Sequence, residues 1–250
     1  MSCQTERLDI ADGFSIYSTS GSAFEAKFIY KEIFQDKCYD VAELPKDAFV
    51  IDAGGNIGMF SIYMKQKYPA ARILAFEPVP VTYSLFQRNM EHHGISGVTV
   101  HQCGLGRDDS QQTLTFYPDM PGNSTLYNEE KEEVLRIVDA EHPVAKGLQK
   151  HEQVKVPIKR LSGFLHQVPD LKRIDLLKID VEGAELDVLH GLDAPHWELV
   201  DNIALEICDR LGNLAEAERL LQSKGFRVSK EKADWSPDDH PIYMVVARRI

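Results

Sequence analysis

Two stretches of the chain gather residues that can do chemistry. In the first, Phe49 to Ser61 (FVIDAGGNIGMFS), an apolar run ends in an acid, Asp52. A small-residue turn follows, Ala53, Gly54, Gly55, Asn56, Ile57 and Gly58, and then a segment able to form a helix. Strand, glycine-rich turn and helix in that order open a nucleotide-binding βαβ unit, where the backbone must lie against a ligand with no Cβ in the way. In the second stretch, Ile174 to Glu185 (IDLLKIDVEGAE), Lys178, Asp180, Glu182 and Glu185 fall within eight positions. Charges gathered at the end of a buried strand are costly to desolvate unless something polar binds there. A solvated helix cap accounts for Glu185 more readily than for Asp180. Glu77 lies 25 positions after Asp52 at the end of a second apolar run (RILAF, 72–76). An acid at that point can accept hydrogen bonds from ribose hydroxyls.

The turn also narrows the ligand. A dinucleotide register G-x-G-x-x-G begun at Gly54 puts Asn56 and Met59 where glycines belong, so it fails twice. Asp52 ahead of the turn would repel a pyrophosphate but suits an ammonium or a sulfonium, and S-adenosylmethionine carries both. The pattern D-x-G-x-N-x-G resembles the first motif of a class I methyltransferase. On that reading Asp52 places the methionine end, Glu77 holds the ribose, and Gly54, Asn56 and Gly58 allow close approach. Cys103, Gly104 and Leu105, after the third strand, border the adenine, and Asp180 is a further cofactor contact. Methyl transfer is an in-line displacement, so alignment supplies much of the rate. A hydroxyl acceptor also needs a general base. Asp180, Glu182, Glu206, His240 and His151 are the candidates; histidine suits neutral pH, and His190, on a helix behind its strand, ranks last. A second way to activate the hydroxyl is a divalent cation such as Mg²⁺ held by Asp180 and Glu206. With two ligands visible, the metal-free reading ranks ahead.

The elements that must position these residues follow from periodicity. Leu8, Ile10, Phe14, Ile16 and Tyr17 around Asp12-Gly13 suit a short hairpin or cover strand. Apolar residues from Ser22 to Cys38 recur at helical spacing, with Ser22 able to cap the start. That helix is expected to pack on the sheet first and to act as a lid second, with Tyr39 just past its end. Helices are expected over about 57–67, 81–92 and 213–224, and strands over 98–106, 174–179, 202–207 and two final segments. Residues 107–160 break the alternation. There 112–117 and 153–158 can pair antiparallel, with Pro157 at an edge or end. Asn123, Ser124 and Thr125 are expected near the site and the Glu/Lys run of 129–150, part helix, outside it.

The chain has 250 residues, 43% of them hydrophobic and 27% charged, enough for one large α/β domain. A formal charge of −11 opposes a protein built to grip nucleic-acid backbone. Cys3, Cys38, Cys103 and Cys208 are scattered without C-x-x-C spacing, which reads as reduced thiols. No apolar run approaches membrane-spanning length and MSCQTERLDI lacks a signal-peptide core, so a cytoplasmic location without membrane attachment is expected.

With VIDAGGNIGMFS, AFEPVPVTYSLFQRN, LLKIDVEGAELDVLHG and IALEI in order across roughly 24–207, the chain resembles the FkbM family of S-adenosylmethionine-dependent methyltransferases. The leader FIYKEIFQDKCYDV also looks like that family's pre-domain helix. The resemblance implies O-methylation of a hydroxyl on a small molecule, a sugar or a carrier-bound natural-product intermediate. The expected architecture is a Rossmann-like α/β fold, a seven-stranded, mostly parallel sheet flanked by helices. Residues 1–45 form a leader or lid and 46–250 the methyltransferase domain, with an insertion at about 107–160. The rivals are an NAD-dependent oxidoreductase or epimerase, which the broken glycine register opposes; an RNA methyltransferase, which the charge opposes; and a scaffold on a degenerate fold.

Overall fold

The computed structural model describes residues 3–250. The chain opens with a hairpin, β1 (Thr5–Ala11) and β2 (Phe14–Thr19), turning through Gly13 at φ +73°. It packs on a later helix through Asn89, whose side chain takes the Tyr17 amide at 2.6 Å and donates to the Tyr17 and Ile57 carbonyls. Helix α1 (Ala23–Tyr30) follows and widens into a π-helical turn over Lys31–Gln35. Ser22 stands at its start without capping it, because its hydroxyl donates to the Thr19 carbonyl instead.

Strand and helix then alternate: β3 (Phe49–Ala53), α2 (Met59–Lys67), β4 (Arg72–Phe76), α3 (Pro80–His92) and β5 (Val98–His101). The chain leaves for a second sheet through β6 (Gly104–Leu105) and β7 (Ser110–Phe116). It continues through α4 (Asn128–Ile137) and α5 (Pro143–Gln149) to β8 (Glu152–Lys159). It returns by α6 (Leu161–Leu165), β9 (Leu176–Ile179), α7 (Glu185–His190), α8 (Ala194–Trp197) and β10 (Asn202–Cys208). Helix α9 (Asn213–Ser223), β11 (Phe226–Lys232) and β12 (Ile242–Arg249) complete it. The main sheet has the order β11-β12-β10-β9-β3-β4-β5, and β12 alone runs against the rest. This is the seven-stranded, mostly parallel Rossmann-like sheet expected.

Both faces of the sheet are covered, which is why its strands read as unbroken apolar runs. Ile51, Leu74, Leu177 and Leu205 face one layer with Trp197, Leu221 and Phe226. Their neighbours Val50, Ile73, Leu176 and Ala204 face the other with Ile62, Phe86 and Met90. The third strand ends at His101, short of the expected 106, because Gly104 and Leu105 pair with β8. β7 and β8 are antiparallel, and Pro157 lies within β8, the central strand of this small sheet. The proline is tolerated there because β6 pairs only with Ile158 and Lys159, leaving that side of Pro157 without a strand partner.

From β3 the sheet grows one way to β4 and β5, and the other way to β9 and β10. The crevice beyond the carboxyl ends of β3 and β9 is therefore the switch point where open α/β sheets take their ligands.

Candidate active site

A cavity of about 580 Å³ lies at that switch point. Its first wall is the turn after β3, the Glu77-Pro78-Val79 segment after β4, and Gly104 and Leu105. Gly54 sits at φ +82°, and a Cβ there would stand 1.8 Å from the Asp180 carbonyl oxygen. The turns after β3 and β9 thus meet where only glycine fits. Lys178 ties them together from below. Its Nζ donates to the Gly54 carbonyl at 2.6 Å and faces Asp52 Oδ1 at 3.2 Å and Asp180 Oδ2 at 3.5 Å. Glu77 is held by two backbone amides, Asn56 N on Oε2 and Val79 N on Oε1, each at 2.9 Å. Burial nevertheless pushes the Glu77 pKa up to about 8. Asn56, at φ 46°, contributes a buried side-chain oxygen without a hydrogen-bond partner.

The second wall is acidic. Tyr39 donates its hydroxyl to Asp180 Oδ2 at 3.0 Å. Glu182 accepts Lys131 Nζ at 2.6 Å, and the same ammonium reaches Asn123 Oδ1 at 3.1 Å. Glu25 accepts the Gly122 amide and the Asn123 side-chain amide, and burial raises its pKa to about 7. Glu32 takes the Trp235 indole N–H at 2.7 Å, and burial raises it also to about 7. Glu206 is held well above the usual carboxylate range by burial and by the nearby Asp180 and Glu32. Six lining carboxylates thus face two lysines, a balance that favours a cationic ligand. The third wall is apolar, with Phe24, Phe28, Met120, Val134, Val138 and Val144.

A family profile described as "Methyltransferase FkbM domain" matches residues 52–228. The chain belongs to the FkbM methyltransferase family. It is 58% identical over 244 residues to "Methyltransferase 1" of Beauveria bassiana, covering 98% of each chain. It is 32% identical to "31-O-demethyl-FK506 methyltransferase FkbM" of Streptomyces tacrolimicus, covering 100% of this chain and 99% of the other. Among solved structures, a precorrin-6y C5,15-methyltransferase from Geobacter metallireducens superposes with a TM-score of 0.51 at 14% identity, covering 86% of each chain; it shares the fold. Membership in the FkbM family makes this a methyltransferase with S-adenosylmethionine as methyl donor, which sets aside the NAD-dependent alternative.

The FkbM site brings Gly54, Asn56, Glu77, Gly104, Leu105, Asp180, Glu182, Glu206 and His240 onto one cavity. Four expected residues lie elsewhere. Asp52 is fully buried beneath the turn, bonded to the Ser61 hydroxyl and facing Lys178, so its charge is answered inside the protein. Gly58 abuts α3, where a Cβ would stand 2.7 Å from Met90 Cε. Cys103 turns into the core beside Phe76 and Leu161. His151 is exposed at the start of β8, its ring 5.9 Å from that of Tyr117. His190 is at the end of α7, half-buried and 3.9 Å from Glu216. Glu185, expected in solvent, is buried and caps its turn by accepting the Gly183 amide. Among the described residues, no third metal donor joins Asp180 and Glu206.

Sequence reasoning missed Glu25, Glu32 and Lys131. The α1 segment lines the cavity rather than only packing on the sheet, and the Glu/Lys run places Lys131 inside it. The one available signal was indirect: Lys131 stands one turn before the apolar Val134 on α4.

Proposed function

We propose that the chain methylates a hydroxyl of a small natural-product or sugar intermediate, free or carrier-bound, with S-adenosylmethionine as donor. The observation that carries this reading is the continuity of the cavity from Glu77 to the acids at Asp180, Glu182 and Glu206, with an apolar wall beside them. Glu77 has lone pairs left after its two amide bonds, and Asn56 Oδ1 has no partner; both fit a ribose and its base. S-adenosylmethionine supplies the electrophilic methyl group when bound. The Gly54 turn allows the close approach, and the acidic wall offsets the positive charge of the ligand.

Asp180 is the general base in this reading. Its Oδ2 is oriented by the Tyr39 hydroxyl and by Lys178, while Oδ1 takes no hydrogen bond among the described residues. A carboxylate fixed on one oxygen can receive the acceptor's proton on the other. The apolar wall of Phe24, Phe28, Val134 and Val138 suits the carbon body of such an acceptor. The FK506 methyltransferase is named for an oxygen methyl group, which supports an oxygen acceptor here. Among the described residues no helix is long and apolar enough to cross a membrane.

Calorimetric titration with S-adenosylhomocysteine and with NAD tests the cofactor, and an acceptor screen read by NMR of the new methyl group tests the chemistry. Micromolar S-adenosylhomocysteine binding without NAD binding is expected, with an O-methyl product. An N- or C-methyl product, or methylation of RNA alone, would overturn the acceptor assignment.

A further inference from the structure

Beside the cavity three segments far apart in sequence bring together a carboxylate, a thiol and an imidazole. Glu130 is on α4, Cys208 ends β10, and His240 is in the turn before β12. His240 Nε2 lies 3.4 Å from Cys208 Sγ and 3.4 Å from Glu130 Oε1. Cys208 Sγ is also 3.8 Å from Nδ1, so the thiol lies along the edge of the imidazole while Nε2 faces the carboxylate. An N···O hydrogen bond normally closes to about 2.7–3.2 Å, so the His240–Glu130 contact is a loose one. The two 3.4 Å separations also match the spacing of donors around one metal ion. Bonds of about 2.3 Å to sulfur and about 2.0–2.1 Å to nitrogen and oxygen, set tetrahedrally, put neighbouring donors roughly 3.3–3.6 Å apart.

We propose that Glu130, Cys208 and His240 bind one zinc ion, with the fourth position open to the cavity. The mixed sulfur, nitrogen and oxygen set is that of a borderline-soft divalent cation rather than Mg²⁺. Glu130 and His240 are buried and Cys208 half-buried. Glu130 forms no salt bridge with lysine or arginine among the described residues; Arg210 pairs with Glu133 instead. The open side is set by the neighbours: His240 lines the cavity, as does Glu206, two residues before Cys208 on the same face of β10. A second trio, His166, Asp193 and His196, is already spent. Asp193 is bound by Arg160 at 2.6 Å and His196 Nδ1 by the Ser162 hydroxyl at 2.8 Å. An ion at the first trio would clamp α4 to the ends of β10 and β12, beside the acidic wall. The inference does not rest on the identity of the methyl acceptor.

The test is titration of chelator-treated protein with Zn²⁺ and Co²⁺, on wild type and on Cys208→Ser, Glu130→Gln and His196→Ala. One equivalent of Zn²⁺ per chain is expected, with a thiolate-to-cobalt charge-transfer band that Cys208→Ser abolishes. Each direct-ligand variant should weaken binding by more than the roughly 10–100-fold lost with an outer-shell partner, and His196→Ala should change nothing. Mapping of alkylation by mass spectrometry, on wild type alone, should show Zn²⁺ protecting Cys208 and no other cysteine. It keeps the question open to test if a variant fails to fold. Absence of the thiolate band in wild type, or binding lost in His196→Ala and kept in Cys208→Ser, would overturn the site and leave a hydrogen-bonded trio.

Discussion

Lys178 Nζ lies 3.2 Å from Asp52 Oδ1, and the two residues are register partners on adjacent parallel strands, both essentially without solvent exposure. The pair also carries the site, since the same ammonium holds the Gly54 carbonyl and faces Asp180. A buried ion pair adds little net stability, but removing one member strands the other charge, at a cost of about 3–5 kcal/mol. Lys178→Met should lose that much in urea denaturation. The double variant Asp52→Asn/Lys178→Met should recover a large part of it, because no uncompensated charge remains. A single-variant loss below about 1 kcal/mol would show that the pair is not desolvated as its burial implies.

Tyr39 reaches Asp180 from just beyond the π-helical turn, donating at 3.0 Å. A hydrogen bond to a charged group is worth about 1.5–3 kcal/mol, so Tyr39→Phe should lower kcat by about 10- to 150-fold if Asp180 is the base. The affinity for S-adenosylhomocysteine should hardly move. Equal losses in affinity and kcat would make Tyr39 a cofactor contact instead.

Burial raises six glutamates above their ordinary value of 4.5: Glu25 and Glu32 to about 7, Glu77 and Glu185 to about 8, and Glu182 and Glu206 in the same direction. The folded protein then binds protons that the unfolded chain has already released, so stability falls as pH rises. The decline should begin near the unfolded carboxylate range and level off only above about 8. The Tm of the ligand-free protein should therefore drop between pH 5 and 8, and Glu77→Gln should flatten the upper part of that slope. A Tm that rises over the same interval would contradict the raised values. Binding of a cationic cofactor should release protons in that interval, seen as a buffer-dependent enthalpy in calorimetry.

The sheet and the first wall of the cavity were legible because strands buried on both faces leave long apolar runs, and because Gly54 and Glu77 sit at fixed offsets from them. What failed to read was direction. Asp52 sits in the right motif, yet strand alternation turns it under the sheet toward Lys178, a pairing visible only once β3 and β9 are in register. His151 sits in the insertion expected near the site, but β8 carries it to the surface. The acidic and apolar walls were the least legible parts. A charged helix over a polar cavity has the same residue pattern as one over water, so Lys131, Glu25 and Glu32 gave no periodic signal of their own.

Lys131 makes the acidic wall depend on the insertion. It is buried, pairs with Glu182 at 2.6 Å, and through Asn123 touches the segment that binds Glu25. Lys131→Met removes the lysine partner of Glu182 and leaves that carboxylate among Asp180 and Glu130, whose charges oppose its own. Helix α4 should then sit less firmly on the core. KM for the acceptor should rise at least about tenfold, the equivalent of 1.4 kcal/mol. Limited proteolysis within 128–150 should quicken, while the Kd for S-adenosylhomocysteine stays near wild type because the Glu77 wall is untouched. Lys131→Arg should restore most of the acceptor affinity. If the S-adenosylhomocysteine Kd rises in step with KM, Lys131 supports the whole cavity rather than its acceptor side.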